Sequence, residues 1–339
     1  MKYPNSPISG TLASRQSGMD ETDYQGRNTP TGKAKSHYAR FRSDPHYLPK
    51  YYIYTIACLW PLTLLAEFFT AHVRSIDHIA FWIVGMLLLI APSFSLIFVS
   101  GLYFMLLAAF MPTGFLNPIA LACMAFGILL GIMSAALMHN AAHDNFPQTW
   151  QSRLIGEICG LFQLTGFVGW SISHTIHHSA PDNPEKDAHA PGHLSFGSYM
   201  TSMGTLMKDN LTNKYFEIFG VNRETKRTWS LLGRFLPVVR YTRVFFIFVL
   251  MGPVLFATFY VPFKIANALI YGDFNYRTHR PMSDGSFEVL NLNHNVWLRF
   301  LNAISFGSYF HKNHHRSPNI FNPRYARDDG KPFITHRVD

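Results

Sequence analysis

The 339-residue chain is short of charge: Asp, Glu, Lys and Arg make up 14% of it against 48% hydrophobic residues. That is too little to clothe a water-facing surface of ordinary composition. From Ile79 to Met111 there is no charged residue at all, which excludes a water-soluble fold for that stretch. Cysteine is equally scarce. Cys58, Cys123 and Cys159 lie far apart inside apolar segments, which excludes a disulfide framework and a Cys-x-x-Cys metal site and predicts buried thiols. Internal repeats and low-complexity tracts are missing, and residues 1–45 hold no apolar run able to serve as a signal-peptide core. Acidic residues are outnumbered, leaving a net charge of +9. In a membrane protein this reads as Lys and Arg retained in cytoplasmic loops, not as a nucleic-acid surface. Such a face would also attract anionic lipid head groups, CoA phosphates or an acidic electron carrier.

What is present is a set of apolar runs separated by polar stretches. Residues 1–45, rich in Ser, Thr, Gly, Asn and charge, read as a disordered cytoplasmic tail, and 46–339 as one membrane domain. Tyr51 to Val73 suits one bilayer crossing. Ile79 to Met111 would extend about 50 Å as a single helix, more than the roughly 30 Å of hydrocarbon, so a break is expected near Pro92. Leu116 to Met138 crosses again. A later run from about Phe235 to Tyr271 is interrupted by Gly252-Pro253, which predicts a tight hairpin. Between these runs, Leu154 to Trp170 carries Glu157, Gln163 and four glycines and reads as an interfacial helix. The expected fold class is all-α and integral to the membrane, with several passes.

The polar stretches hold most of the 17 histidines. His139 and His143 follow the Leu116 to Met138 run at a spacing of i, i+4, which places both on one face of a continuing helix. His174/His177/His178 and His311/His314/His315 both read His-x-x-His-His, and on a helix those three positions converge. One such triplet arises by chance about 0.04 times in a chain of this histidine content, so two copies are a strong signal. Asn275 and His279 add a pair four apart. Imidazole suits zinc, copper, nickel or iron. Nine histidines exceed a four-coordinate zinc site, whereas two metals with four or five ligands each use them all. His37, His46, His72, His78 and His336 lack partners at ligand spacing and are expected to be bystanders. His189, His193 and His294 stay open on spacing alone.

With these boxes the chain resembles the membrane-bound fatty-acid desaturases and their hydroxylase relatives. The run Asp182, Pro184, Asp187, His189 after the second box resembles the family's extended motif, and the likeness covers about Leu137 to Pro318. It implies a helical membrane stalk, a cytosolic cap carrying the boxes (139–189 and 275–315), and a kinked tunnel for an acyl chain. It implies two iron ions, cycling between Fe2+ and Fe3+, held by His139, His143, His174, His177, His178, His279, His311, His314 and His315, with Asn275 acting through water. Asp144, Asp182, Asp187 and His189 are candidate supports behind the ligands, orienting imidazoles through the far ring nitrogen; the plain alternative for the aspartates is helix capping or loop solvation. Gly307-Ser308-Tyr309-Phe310 before the third box departs from the Gly-x-Phe/Trp common in acyl-CoA desaturases.

An unactivated methylene offers side-chain acids and bases nothing to attack, so a redox metal with O2 must carry its oxidation. The expected reaction inserts a double bond into a fatty-acyl chain carried by CoA, ACP or a glycerolipid. Electrons would come from ferredoxin or from cytochrome b5 with its reductase. A lipid or carotenoid hydroxylase, a ketolase or an oxidative decarboxylase would use the same boxes, and a histidine-lined metal transporter is the rival of another class. Boxes sharing one site must face one compartment, which requires an even number of crossings between the first and the last. With a cytoplasmic N-terminus this gives four crossings before His139 and two after it.

Overall fold

The computed structural model describes residues 36–70, 118–187 and 189–335. The run containing Pro92 lies outside them, as do most of the N-terminal tail and the last four residues. The tail expected to end at Pro45 joins the protein body earlier. Helix α1 (His37–Ser43) is capped by the Ser36 hydroxyl and buries Tyr38 and Phe41. Those rings stand three residues apart on one helical face and share a cluster with Leu48, Tyr52 and Tyr215, enough apolar area to order the segment.

Three described helices are long and apolar enough to cross a membrane. They are α2 (Tyr47–Thr70), α3 (Pro118–Ala142) and the first part of α7 (Arg223–Leu255). Tyr54, Leu64 and Phe68 of α2 and Ile119 and Phe126 of α3 point outward, as lipid-facing side chains do. Cys58 is exposed and only Cys159 is buried, so the expectation of buried thiols fails for Cys58, which looks out of the protein. Between the spans run α4 (Thr149–Phe162) and α5 (Phe167–Ser179), set at 103° to each other. The single interfacial helix expected over Leu154 to Trp170 is thus broken. Leu164 (φ 64) and Gly166 (φ 76) turn the corner, and the Gln163 amide donates to the Ser134 carbonyl at 2.8 Å.

Helix α6 (Phe196–Phe219) leads into α7. Gly252, at φ 71 and ψ 169, breaks α7 where the Gly-Pro pair predicts the hairpin, although the first arm begins earlier, at Arg223. The chain returns through a π-helical turn (Phe256–Tyr260) and α8 (Val261–Thr278). The contacts fix the directions. Gly127 and Gly131 of α3 meet the backbones of Phe259 and Phe263, Asn267 bonds Ser134, and Tyr271 bonds the Ala135 carbonyl. Successive turns match successive turns, so α3 and the returning arm run parallel. Leu48 and Tyr52 of α2 likewise pack with Leu232 and Val239 of α7, and Ala66 with Val244 and Phe248. Two strands of chain descend together and two rise together, so both rising ends reach one face.

The fold is that of an all-α membrane protein, as expected, and on that face the described residues add three short strands. They are β1 (His279–Pro281), β2 (Phe287–Val289) and β3 (Phe333–Thr335), paired antiparallel in the order β1-β2-β3. The connection carries α9 (Val296–Ile304) and α10 (His311–Arg316).

Candidate metal centre

Four elements deliver the boxed histidines to one place. Helix α3 ends at Ala142, so His139 sits in its last turn and His143 in the bend that follows, with ring centroids 5.3 Å apart. The second box lies on α5, the third on α10, and His279 opens β1 directly after α8.

The nine imidazoles divide into two groups in which ligand nitrogens lie within 4.8 Å of one another: His139, His143, His174, His178 and His314, and His177, His279, His311 and His315. The triplets therefore do not converge on one point as their spacing alone predicts. Positions i and i+4 lie one above the other, while i+3 is rotated about 60° from i. His174 and His178 join the first group and His177 the second; His311 and His315 join the second and His314 the first. Each triplet gives two ligands to one group and one to the other, in opposite senses. The groups adjoin, since the His178 and His315 rings are 4.6 Å apart.

The protonation pattern shows what these groups fit. His177 Nδ1 is 2.8 Å from Asp187 and His279 Nδ1 is 2.8 Å from Asp182, so each ring donates from Nδ1 to a carboxylate and turns Nε2 toward the group, the atom a metal would take. His279 Nε2 and His139 Nε2 are buried without a partner among the described residues. His174 Nε2 stands 2.9 Å from His143 Nε2 and 3.1 Å from His178 Nε2, and His178 Nε2 is also 2.9 Å from His314 Nε2. One proton per ring cannot serve that chain of contacts. A cation in each group satisfies every lone pair, and a buried set of unpaired acceptors is otherwise costly.

Burial, and secondarily the neighbouring imidazoles, hold His311, His314 and His315 well below the ordinary histidine value and pull His189 down to about 3. These rings are neutral when folded and take up protons on unfolding below about pH 6.5. Their stabilisation is complete above that value and is lost as pH falls toward the folded values. Metal-stripped protein in detergent should therefore melt at progressively lower temperature from about pH 7 to about pH 5. A melting temperature flat over that interval contradicts neutral buried rings.

The supports divide. Asp182 and Asp187 are buried and hold His279 and His177. Asp187 also accepts from the backbone amides of Asp182 and His189, both at 2.7 Å. His177, Asp187 and His189 also bring their ligand atoms within 4.8 Å of one another, and in that trio Asp187 braces His177 with both oxygens already accepting from backbone amides. His189 is buried against Trp170 and His177. Asp144 is exposed just past the helix end at φ 56, so it does not sit among the buried supports; the turn after α3 carries it to the surface. Asn275 is buried with its amide nitrogen committed to the Tyr271 carbonyl at 3.0 Å, which leaves Oδ1 as the atom a water would meet. His37, His46, His193 and His294 belong to neither group. His37 bonds Tyr47.

Trp170, outside every histidine box, stacks its indole on His174 at 4.6 Å and 16°. It sits one turn before the second box, a spacing that would have flagged it. The hydroxyl of Thr335 lies 2.5 Å from Asp182, and no local sequence pattern marks that residue.

The model of the fatty acid desaturase family matches residues 115–327, more than half of the chain and all nine clustered histidines. No curated protein and no solved structure matches the chain.

Proposed function

The chain belongs to the fatty acid desaturase family, and from that premise we propose that it is an O2-dependent di-iron enzyme that introduces a double bond into a fatty-acyl chain. Membership makes it a membrane oxidoreductase with a fatty-acyl substrate; the metal, the reaction and its residues are the finer reading. The observation that carries this reading is the division of nine imidazoles into adjoining groups of five and four. Iron, when bound there, supplies the redox steps and oxygen activation that no side chain offers.

The chain's own residues do the rest. His139, His143, His174, His178 and His314 would hold one ion and His177, His279, His311 and His315 the other, with Asn275 as a contact through water. Asp182 and Asp187 keep the protons of His279 and His177 on Nδ1, which fixes tautomer and ring direction and raises ligand basicity. Trp170 covers one face of His174 and helps exclude water. The balance of the reaction is R–CH2–CH2–R′ + O2 + 2 e⁻ + 2 H⁺ → R–CH=CH–R′ + 2 H2O. The two external electrons come from a carrier such as ferredoxin or cytochrome b5 with its reductase. We place the boxes and the N-terminus on the cytoplasmic face, where the parallel rising helices deliver their ends together and basic residues gather.

Purified protein should contain about two iron atoms per chain, and a host expressing it should accumulate lipids lighter by two hydrogens. Fully active, iron-free protein ends the proposal. Lipids heavier by one oxygen move the assignment to a hydroxylase on the same boxes.

A further inference from the structure

The fatty acid desaturase match ends at residue 327, yet the chain beyond it returns to the metal groups. Lys312 pairs with Asp328 at 2.7 Å, and Arg316 pairs with Asp329 and donates to the Lys331 carbonyl. Strand β3 follows. Its register sets Phe333 opposite Val289 and Thr335 opposite Phe287, while Val289 lies opposite His279. Side chains in register share a face and alternate along each strand. His279, Val289, Phe287, Phe333 and Thr335 therefore form one face of the sheet. Arg280 and Glu288 pair on the other.

That face looks into the second histidine group. His279, Val289, Phe287 and Thr335 are all buried, and the Phe333 ring lies 5.7 Å from the His315 ring. The Thr335 hydroxyl donates to Asp182 Oδ2 at 2.5 Å, and the same carboxylate holds His279 Nδ1. A buried carboxylate with few donors turns to meet those it has. Asp182 is thus held from two sides, by the ligand it orients and by a strand near the chain's end.

Resting on the di-iron reading above, we propose that Thr335 is a positioning residue for the second metal group, acting through Asp182 on His279, with β3 serving as the strap that closes this group. Among the described residues no contact ties Thr335 to the first group, whose five histidines lie on α5, α10, the end of α3 and the bend that follows it. Its removal should act on one ion and spare the other.

The test compares full-length wild type, Thr335→Val and Thr335→Ser in detergent, stripped with a chelator and titrated anaerobically with Fe2+ while Mössbauer spectra follow each iron. Wild type and Thr335→Ser should bind two ions with matching spectra. Thr335→Val should bind the first as wild type does and the second about 10- to 100-fold more weakly, with one spectral component altered. Two ions of wild-type affinity in Thr335→Val overturn the role of Thr335. So does equal weakening of both ions, the mark of a general folding defect, and so does loss of an ion in Thr335→Ser, which covers the case in which the valine variant does not fold. A wild type that takes up no iron overturns the di-iron reading together with this one.

Discussion

Replacing His314 by alanine should reduce new double bonds in host lipids to background, a loss on the order of 100-fold or more, and should halve the bound iron. The reason lies in how the third box is divided. His314 belongs to the first group, with its Nε2 2.9 Å from that of His178, whereas His311 and His315 belong to the second. Losing the imidazole leaves four ligands in the first group and opens a void where a neutral donor stood. His311→Ala should produce the same loss of product through the other ion. Each variant should retain about one iron, with different spectra. His193→Ala is the control: the ring is exposed beside Phe287, and iron and product should match wild type. A single mononuclear site predicts instead that His314→Ala and His311→Ala lose the same iron.

The boxes were legible because metal binding imposes short-range spacing, and His-x-x-His-His leaves a trace in sequence whatever the rest of the fold does. Their division between two ions was not. It depends on how α5 and α10 are turned toward each other, a tertiary relation. The hairpin at Gly252 was legible from a Gly-Pro pair in an apolar run and from the demand that all boxes face one side. The corner between α4 and α5 was not. Gly166 is one of four glycines in that stretch and does not single out the break, Gln163 and Leu164 carry no common turn signature, and the bend is held by a hydrogen bond to Ser134 twenty-nine residues earlier. Asp182 and Asp187 could be named from their run after the second box. Thr335 contacts Asp182 across 153 positions, and nothing near it in sequence marks it. What one helical turn or one motif encodes was readable; what the return of the chain encodes was not.

Adding a single methyl at Gly131 should destabilise the protein by about 1–3 kcal/mol, against the ordinary gain of about 0.5–1 kcal/mol for Gly→Ala inside a helix. A Cβ on Gly131 overlaps the carbonyl oxygen of Phe263, and one on Gly127, a turn earlier, overlaps that of Phe259. Neither neighbour is a side-chain tip able to swing aside; both are backbone. Between lipid-facing helices close approach must stand in for the hydrophobic drive that water provides elsewhere. The approach is locked by the Asn267 amide, 3.1 Å from the Gly131 carbonyl and 3.2 Å from Ser134 Oγ, and by the Tyr271 hydroxyl on the Ala135 carbonyl at 3.0 Å. Gly131→Ala should lower the melting temperature in detergent, and Gly131→Leu should prevent accumulation of folded protein. Gly204→Ala, where none of the described residues lies within 4 Å of the added carbon, should be neutral or stabilising. The pattern of iron loss separates this effect from that of a ligand variant. Helix α3 carries His139 to the first group and α8 leads into His279 of the second, so prying the two helices apart should weaken both ions together, where His314→Ala and His311→Ala each remove one.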